Sequence, residues 1–326
     1  MRMKMNYKRQ RHMMISLLVI MIAAMFLSAC GAARPALVQG KTNIVTSFYP
    51  LYDFASKIGG QHVNVVNLVP AGVEPHEWTP KGRDIKTLKD AEVFVYLGAG
   101  FEGWVGDTLS SLEKDAKVQV VEASKGLTLL PGIEEEGHAD DHGHNHKEDA
   151  HEAEFDPHVW LSPVNAKLLA QNIKDALVKA DPSHQADYEA NFKQLSGKLD
   201  QLHDKFKQQL SKTSKKEIVV THQSFGYLAK EYGLTQKAIM GLAPDAEPTS
   251  KDMKEILSFI KENDVKYIFF EELVSDKLAK TLAKDAKVET LVLSPLEGLT
   301  EEQAKQGMDY VSIMESNLNN LIKALQ

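Results

Sequence analysis

Cysteine is all but missing from this chain: Cys30 is the only one among 326 residues. A lone thiol excludes an internal disulfide framework, so whatever site the fold carries is built from nitrogen and oxygen. Long apolar runs are missing too. The stretch from Ile15 to Leu27 has about 13 residues, against the ~20 that a membrane-spanning helix needs. Positive charge is in deficit, with 38 Lys and Arg against 45 Asp and Glu and a formal charge of −7. That balance argues against nucleic acid as a partner. The signatures His-Glu-x-x-His and Gly-x-Ser-x-Gly do not occur, and without them the chain lacks the usual marks of a zinc peptidase or a serine hydrolase.

What is present begins with an export signal. The first dozen residues hold Arg2, Lys4, Lys8, Arg9 and Arg11 and no acid. A basic start, a short apolar run and small residues at Leu27-Ser28-Ala29-Cys30-Gly31 predict a signal peptide over residues 1–29. Cys30 resembles the lipobox cysteine of bacterial lipoproteins, which becomes the acylated N-terminus, with residues 30–40 as a linker to the fold. Cleavage would remove the five positive charges and move the formal charge from −7 to −12, a balance compatible with collecting cations.

Downstream, short apolar runs alternate with helical segments. Strands are expected at Asn43–Ser47, Val63–Leu68, Val93–Leu97 and Val118–Glu122, with helices at Leu51–Ile58, Asp84–Ala91 and Trp104–Asp115. The second half repeats the plan. Its strands are expected at Glu217–Thr221, Gln236–Met240, Tyr267–Phe270 and Thr290–Leu293. Its helices are expected at Phe225–Tyr232, Ser250–Asn263 (capped by Ser250), Ser275–Ala286 and, to close, about Glu301–Leu325. This alternation calls for an α/β fold with parallel sheets, divided into lobes at residues 41–180 and 215–326. Pro163–Lys179 has helical spacing. Across residues 181–214, Tyr188, Phe192, Leu195, Leu199, Leu202, Phe206 and Leu210 step by three, four or seven. A helix of about 30 residues would be on the order of 40 Å long, enough for a strut between lobes. Residues 134–154 differ in kind. His138, His142, His144, His146 and His151 lie among Asp and Glu with almost no apolar residue, which predicts a mobile loop.

Three other histidines sit in distinctive settings: Val73-Glu74-Pro75-His76-Glu77-Trp78, Asp156-Pro157-His158-Val159-Trp160 and Val220-Thr221-His222-Gln223-Ser224. In open parallel sheets, ligands bind beyond the carboxyl ends of the strands. His76 follows the second expected strand, and His158 follows the fourth beyond the acidic loop. His222 and Glu271 immediately follow strands of the second half. A cleft between the lobes would collect all four, and three imidazoles with a carboxylate favour a divalent transition metal, zinc above all. Glu272 rivals Glu271, since neighbouring strand-end residues point in opposite directions and only one faces the cleft. Pro75 and Pro157 stiffen the loops that present two of the histidines. His62, His184 and His203 read as ordinary surface histidines, and Glu77 as part of its loop. The histidines of residues 134–154 have spacings that bind zinc or copper in any flexible chain and read as an auxiliary, weaker collector.

The lipobox, Ser47-Phe48-Tyr49-Pro50-Leu51, Pro75-His76-Glu77-Trp78-Thr79-Pro80, Asp156-Pro157-His158-Val159-Trp160-Leu161-Ser162-Pro163, Thr221-His222-Gln223-Ser224-Phe225 and Phe270-Glu271-Glu272 together resemble the cluster A-I substrate-binding proteins of metal ABC transporters. Within that group the chain looks like the zinc-uptake lipoproteins of the ZnuA and AdcA type, over nearly all of residues 41–326. The resemblance implies two α/β lobes joined by a long rigid helix, with the metal between the lobes. Carried over by position, its ligands are His76, His158, His222 and Glu271. Manganese-binding relatives tend to have a carboxylate in place of His222 and an Asp in place of Glu271, so the likeness favours zinc, as does the acidic His-rich loop. It further implies a monomeric, non-enzymatic receptor held to the cell membrane through acylated Cys30. That receptor would deliver Zn²⁺ to the permease of an ABC importer. The missing second-lobe disulfide of some Gram-negative members favours a Gram-positive cell surface. The alternatives are a manganese-binding member, a surface adhesin, and a zinc hydrolase if Glu271 were not a ligand.

Overall fold

The computed structural model describes residues 36–112, 117–132, 155–244 and 248–326. In the first half, β1 (Thr42–Thr46), β2 (Val63–Asn67), β3 (Val93–Tyr96) and β4 (Gln119–Glu122) form one sheet in the order β2-β1-β3-β4. All its pairings are parallel. The helices α1 (Tyr49–Gly59), α2 (Gly82–Asp90) and α3 (Val105–Ser111) lie between these strands in the chain. The second half holds β7 (Glu217–Val220), β8 (Thr235–Ala238), β9 (Tyr267–Phe270) and β10 (Glu289–Val292), with α6 (Gly226–Tyr232), α7 (Ser250–Glu262) and α8 (Lys277–Ala286). Its sheet runs β10-β9-β7-β8 and is also parallel. Counted within each half, both sheets have the strand order 2-1-3-4, so the second half repeats the first in topology.

Parallel strands covered on both faces carry apolar side chains in both directions, and the core shows this. Ile44, Val93 and Val95 of the first sheet and Ile218, Val220 and Phe269 of the second face one continuous core. Val45, Phe94 and Leu88 make a separate outer cluster in the first half, and Val219, Ile256, Ile268 and Leu282 make another in the second. The inner core includes α4 (Pro163–Ala180), α5 (Gln185–Leu210) and α10 (Tyr310–Leu325). Tyr188, Leu195, Leu199, Leu202, Phe206 and Leu210 of α5 are buried. With 26 residues, α5 is about 39 Å long. It packs on α1 and α4 of the first half and on α6 and α10 of the second.

Two helix expectations need correction, and one pair of strands was not expected. The closing helix is two, α9 (Glu301–Lys305) and α10, because Gly307 takes φ +68. Asp309 then starts α10 afresh, its side chain accepting from the Ser312 N–H. The cap of α7 is Thr249 rather than Ser250, in a reciprocal box with Asp252. Two strands too short to show periodicity, β5 (Leu130–Pro131) and β6 (Phe155–Asp156), pair antiparallel and flank the acidic His-rich segment.

Cross-links join the halves near the strand ends. The Trp160 indole N–H donates to the Pro295 carbonyl at 2.7 Å and the Tyr310 hydroxyl to the Trp160 carbonyl at 2.6 Å. The Gly72 N–H donates to the Leu299 carbonyl at 2.7 Å, and Lys57 pairs with Asp309 at 2.7 Å. Among the described residues no helix is long and apolar enough to cross a membrane.

Candidate metal centre

His76 sits in the loop after β2. The carboxylate of Glu74 shapes that loop by accepting the His76 N–H at 2.8 Å and the Glu77 N–H at 3.1 Å. His158 comes two residues after β6, where Pro157 fixes the approach. His222 comes two residues after β7 and Glu297 five after β10, next to Leu296, which holds φ +58. That left-handed conformation is uncommon for a branched residue and turns the chain sharply before Glu297.

These four side chains converge, with one donor atom of each within 4.8 Å of all the others. Oε1 of Glu297 lies 3.2 Å from Nε2 of His76, 3.3 Å from Nε2 of His158 and 3.4 Å from Nε2 of His222. The Nε2 atoms of His158 and His222 are 3.3 Å apart. His158 and His222 are fully buried and Glu297 is 3% exposed, while the His76 side chain keeps 13%.

The carboxylate of the cluster is therefore Glu297, and the expectation of Glu271 is corrected. Glu271 lies behind His222, where its Oε1 accepts from Nδ1 of that ring at 2.6 Å and from the Thr221 hydroxyl at 2.5 Å. Following β9 directly, it reaches the imidazole's rear nitrogen but not the point where the Nε2 atoms meet. Glu272 turns the other way, as strand alternation requires, and accepts from Gln303 at 2.9 Å. Asp156 does for His158 what Glu271 does for His222, with Oδ1 on Nδ1 at 2.8 Å and on the His158 N–H at 2.9 Å. A carboxylate on Nδ1 fixes the proton there and leaves the Nε2 lone pair facing the cluster.

The electrostatics follow. Burial alone would raise Glu297, but the imidazoles of His76, His158 and His222 overcome it and hold the carboxyl well below its ordinary range. Burial would lower His222, yet Glu271 and Glu297 push it up to about 10. His158 is raised as well, Asp156 and Glu297 outweighing its burial. Without a cation, a proton on His222 offsets part of the carboxylate charge around it, so a cation that binds Nε2 of that ring must displace it.

His62, His184 and His203 lie outside the cluster. His62 stacks on His184 with ring centroids 3.8 Å apart, and His203 contacts the Tyr232 hydroxyl at 3.2 Å. Cys30 and the loop histidines His138, His142, His144, His146 and His151 fall outside the described residues. Glu297 and Asp156 were missed as participants. Both had a readable signal: Glu297 follows the last strand of its sheet, and Asp156 immediately precedes Pro157-His158.

Fold and cluster together define a two-lobed α/β protein in which the donor atoms of three histidines and a carboxylate converge. The chain belongs to the ZnuA family, described as the zinc-uptake complex component A, periplasmic, whose profile matches residues 44–324. It is 44% identical over 307 residues to the zinc-binding lipoprotein AdcA of Streptococcus pneumoniae strain R6, an alignment covering 94% of this chain and 60% of that protein. The chain thus spans about 60% of the length of that curated relative. It is 41% identical over 313 residues to the high-affinity zinc uptake system protein ZnuA of Bacillus subtilis, covering 94% of this chain and 97% of that one. Among solved structures, the Zn(II)-bound ZnuA-like domain of S. pneumoniae AdcA superposes with a TM-score of 0.74 at 42% identity, covering 88% of this chain and 99% of that one.

Proposed function

We propose that the chain is an extracytoplasmic receptor that captures Zn²⁺ through His76, His158, His222 and Glu297 and passes it to the permease of an ABC importer. The spacing of the four donors carries the reading. A tetrahedral zinc with bonds of about 2.0–2.1 Å has ligands about 3.3–3.4 Å apart. The three separations from Glu297 and the one between His158 and His222 run from 3.2 to 3.4 Å, and the remaining two, from His76 to those rings, lie within 4.8 Å. Three imidazoles and one carboxylate leave the bound ion a net charge of +1, which Asp156 and Glu271 behind the rings more than offset. Four protein ligands leave no open position for a catalytic water, which disfavours a hydrolase. Manganese, which prefers oxygen and a larger coordination number, suits this nitrogen-rich set less well.

The lobes are residues 41–180 and 215–326, with 181–214 as the strut. The inner core shared by both sheets and α5 favours a small relative movement on binding. Acylation at Cys30 would hold the receptor at the membrane beside its permease, and the histidines of residues 134–154 would serve as a weaker auxiliary store.

Calorimetry with Zn²⁺ and the absorption spectrum of the Co²⁺-substituted protein test this directly. One tight site with intense tetrahedral d–d bands is expected. Weak octahedral bands, or tighter binding of Mn²⁺ than of Zn²⁺, would refute it.

A further inference from the structure

Asp156 belongs to the first half of the chain, but part of its seat belongs to the second. Its carbonyl accepts from the Tyr227 hydroxyl at 2.7 Å, and the same oxygen of Tyr227 accepts from the Leu130 N–H at 2.8 Å. One phenol of α6 thus ties together both strands of the β5–β6 ribbon. The carboxylate of Asp156 lies over Gly226, the first residue of α6, where a Cβ would stand 2.5 Å from Oδ2. Gly226 does not have a positive φ, so its backbone does not call for glycine, and alanine is the better helix former. The neighbour that excludes a side chain is Asp156. The same short segment carries His222, four residues before Gly226.

We propose that Gly226 and Tyr227 are positioning residues for the metal site. The start of α6 forms a socket for Asp156, and through Asp156 it fixes the His158 ring against His222 across the two lobes. The two buried imidazoles are then assembled before an ion arrives, and only His76 and Glu297 adjust to it. This inference rests on the zinc reading of the cluster.

The test measures Zn²⁺ affinity, by competition with a chromogenic chelator, in the wild-type chain, Gly226→Ala, Asp156→Ala and the double variant. Melting of each metal-free protein is followed alongside. Gly226→Ala should weaken Zn²⁺ binding by about ten- to a hundredfold, the usual effect of disturbing a group that orients a metal ligand. In the Asp156→Ala background the same change should cost nothing further, because the carboxylate it strikes is gone. Additive losses, or unchanged affinity in Gly226→Ala, would overturn the proposal. Should Gly226→Ala fail to fold, Tyr227→Phe carries the test, with a several-fold loss expected that also vanishes in Asp156→Ala. The Nδ1–H resonance of His158 in the metal-free protein gives a readout independent of zinc, since the 2.8 Å contact to Asp156 exists whether or not Nε2 is protonated. The socket predicts a hydrogen-bonded, slowly exchanging Nδ1–H in the wild type that exchanges freely in Gly226→Ala. A wild-type chain with that signature but no Zn²⁺ binding would sink the zinc reading and leave the socket standing.

Discussion

The two sides of the cluster are built differently. His158 and His222 are fully buried, and each has a carboxylate on its rear nitrogen, 2.8 and 2.6 Å away. His76 keeps some exposure, and among the described residues no carboxylate sits on its Nδ1. Its loop is shaped by Glu74, and its ring meets the edge of Phe101 at 5.0 Å and 70°. Glu297 stands at the end of a five-residue run from β10 through the strained Leu296. One pair is locked by charge in the dry interior, and the other is held by loop geometry, with His76 alone nearer water. Under the proposed function, such a division would serve a receptor that must both capture and give up its ion, with His76 as the ligand nearest water.

The largest test of the contrast removes one ligand from each side. A structural zinc site contributes about 10–16 kcal/mol, or about 3–4 per ligand. His222→Ala should therefore weaken Zn²⁺ binding by about a hundred- to a thousandfold, towards the upper end because Glu271 is left buried without its partner. His76→Ala should lose less, about ten- to a hundredfold, since water can enter that position. Calorimetry on both variants checks the order. Equal losses would mean that the two sides do not differ.

Proton displacement comes next. His222, raised to about 10, is protonated in the metal-free protein at neutral pH, and His158 keeps its proton to higher pH than a free imidazole. Zn²⁺ must release those protons, so its apparent affinity should fall about tenfold per pH unit for each proton displaced. The window extends above pH 7 and is not centred on the ordinary histidine value near ~6.5. Calorimetry in buffers of different ionisation enthalpy reads the proton count. Stability of the metal-free protein has its own sign. The raised His222 contributes fully below ~6.5 and loses its contribution as pH climbs through about 10. The lowered Glu297 contributes above ~4.5 and loses its contribution as pH falls further. Melting of the metal-free protein should thus be highest between those limits and decline towards pH 9.

These differences mark what was legible in the chain. Strands such as β1, β3, β7 and β9 were readable because they are apolar on both faces, and the stripe from Tyr188 to Leu210 showed the long helix α5. The break at Gly307 was hidden by helical spacing that continues across it, although Asp309-x-x-Ser312 is a recognisable start. Three of the four cluster residues were visible because strand ends point to one edge. The fourth was misplaced because Glu271, directly after β9, looked like the nearest carboxylate. Glu297 lies five residues beyond β10, and only the turn at Leu296 brings it in. Sequence distance from a strand does not give the reach of a loop, and a carboxylate that orients an imidazole has the same signature as one that binds the ion.

Removing that orienting charge is the next smaller perturbation. Glu271→Gln keeps the shape and an acceptor for Nδ1 but not the negative charge. About a ten- to hundredfold loss of Zn²⁺ affinity is expected, together with a lower His222 pKa by NMR. Glu272→Gln should leave affinity unchanged, since Glu272 faces Gln303. A reversed result would restore Glu271 and Glu272 to rival roles.

The smallest effect is expected beside His76. Phe101 touches that ring and also packs on Phe48 at 4.6 Å and Trp160 at 5.1 Å. Phe101→Leu preserves much of the apolar volume but loses the edge-on aromatic contacts, each worth about 0.5–1.5 kcal/mol. Only part of that loss reaches the ion, because Glu74 still holds the His76 backbone. A two- to tenfold drop in affinity is expected, with faster Zn²⁺ release in stopped-flow chelation, since the ring nearest water is the one set loose. If Phe101→Leu instead matched Glu271→Gln in affinity and left the release rate unchanged, the wet side would be as tightly built as the dry one.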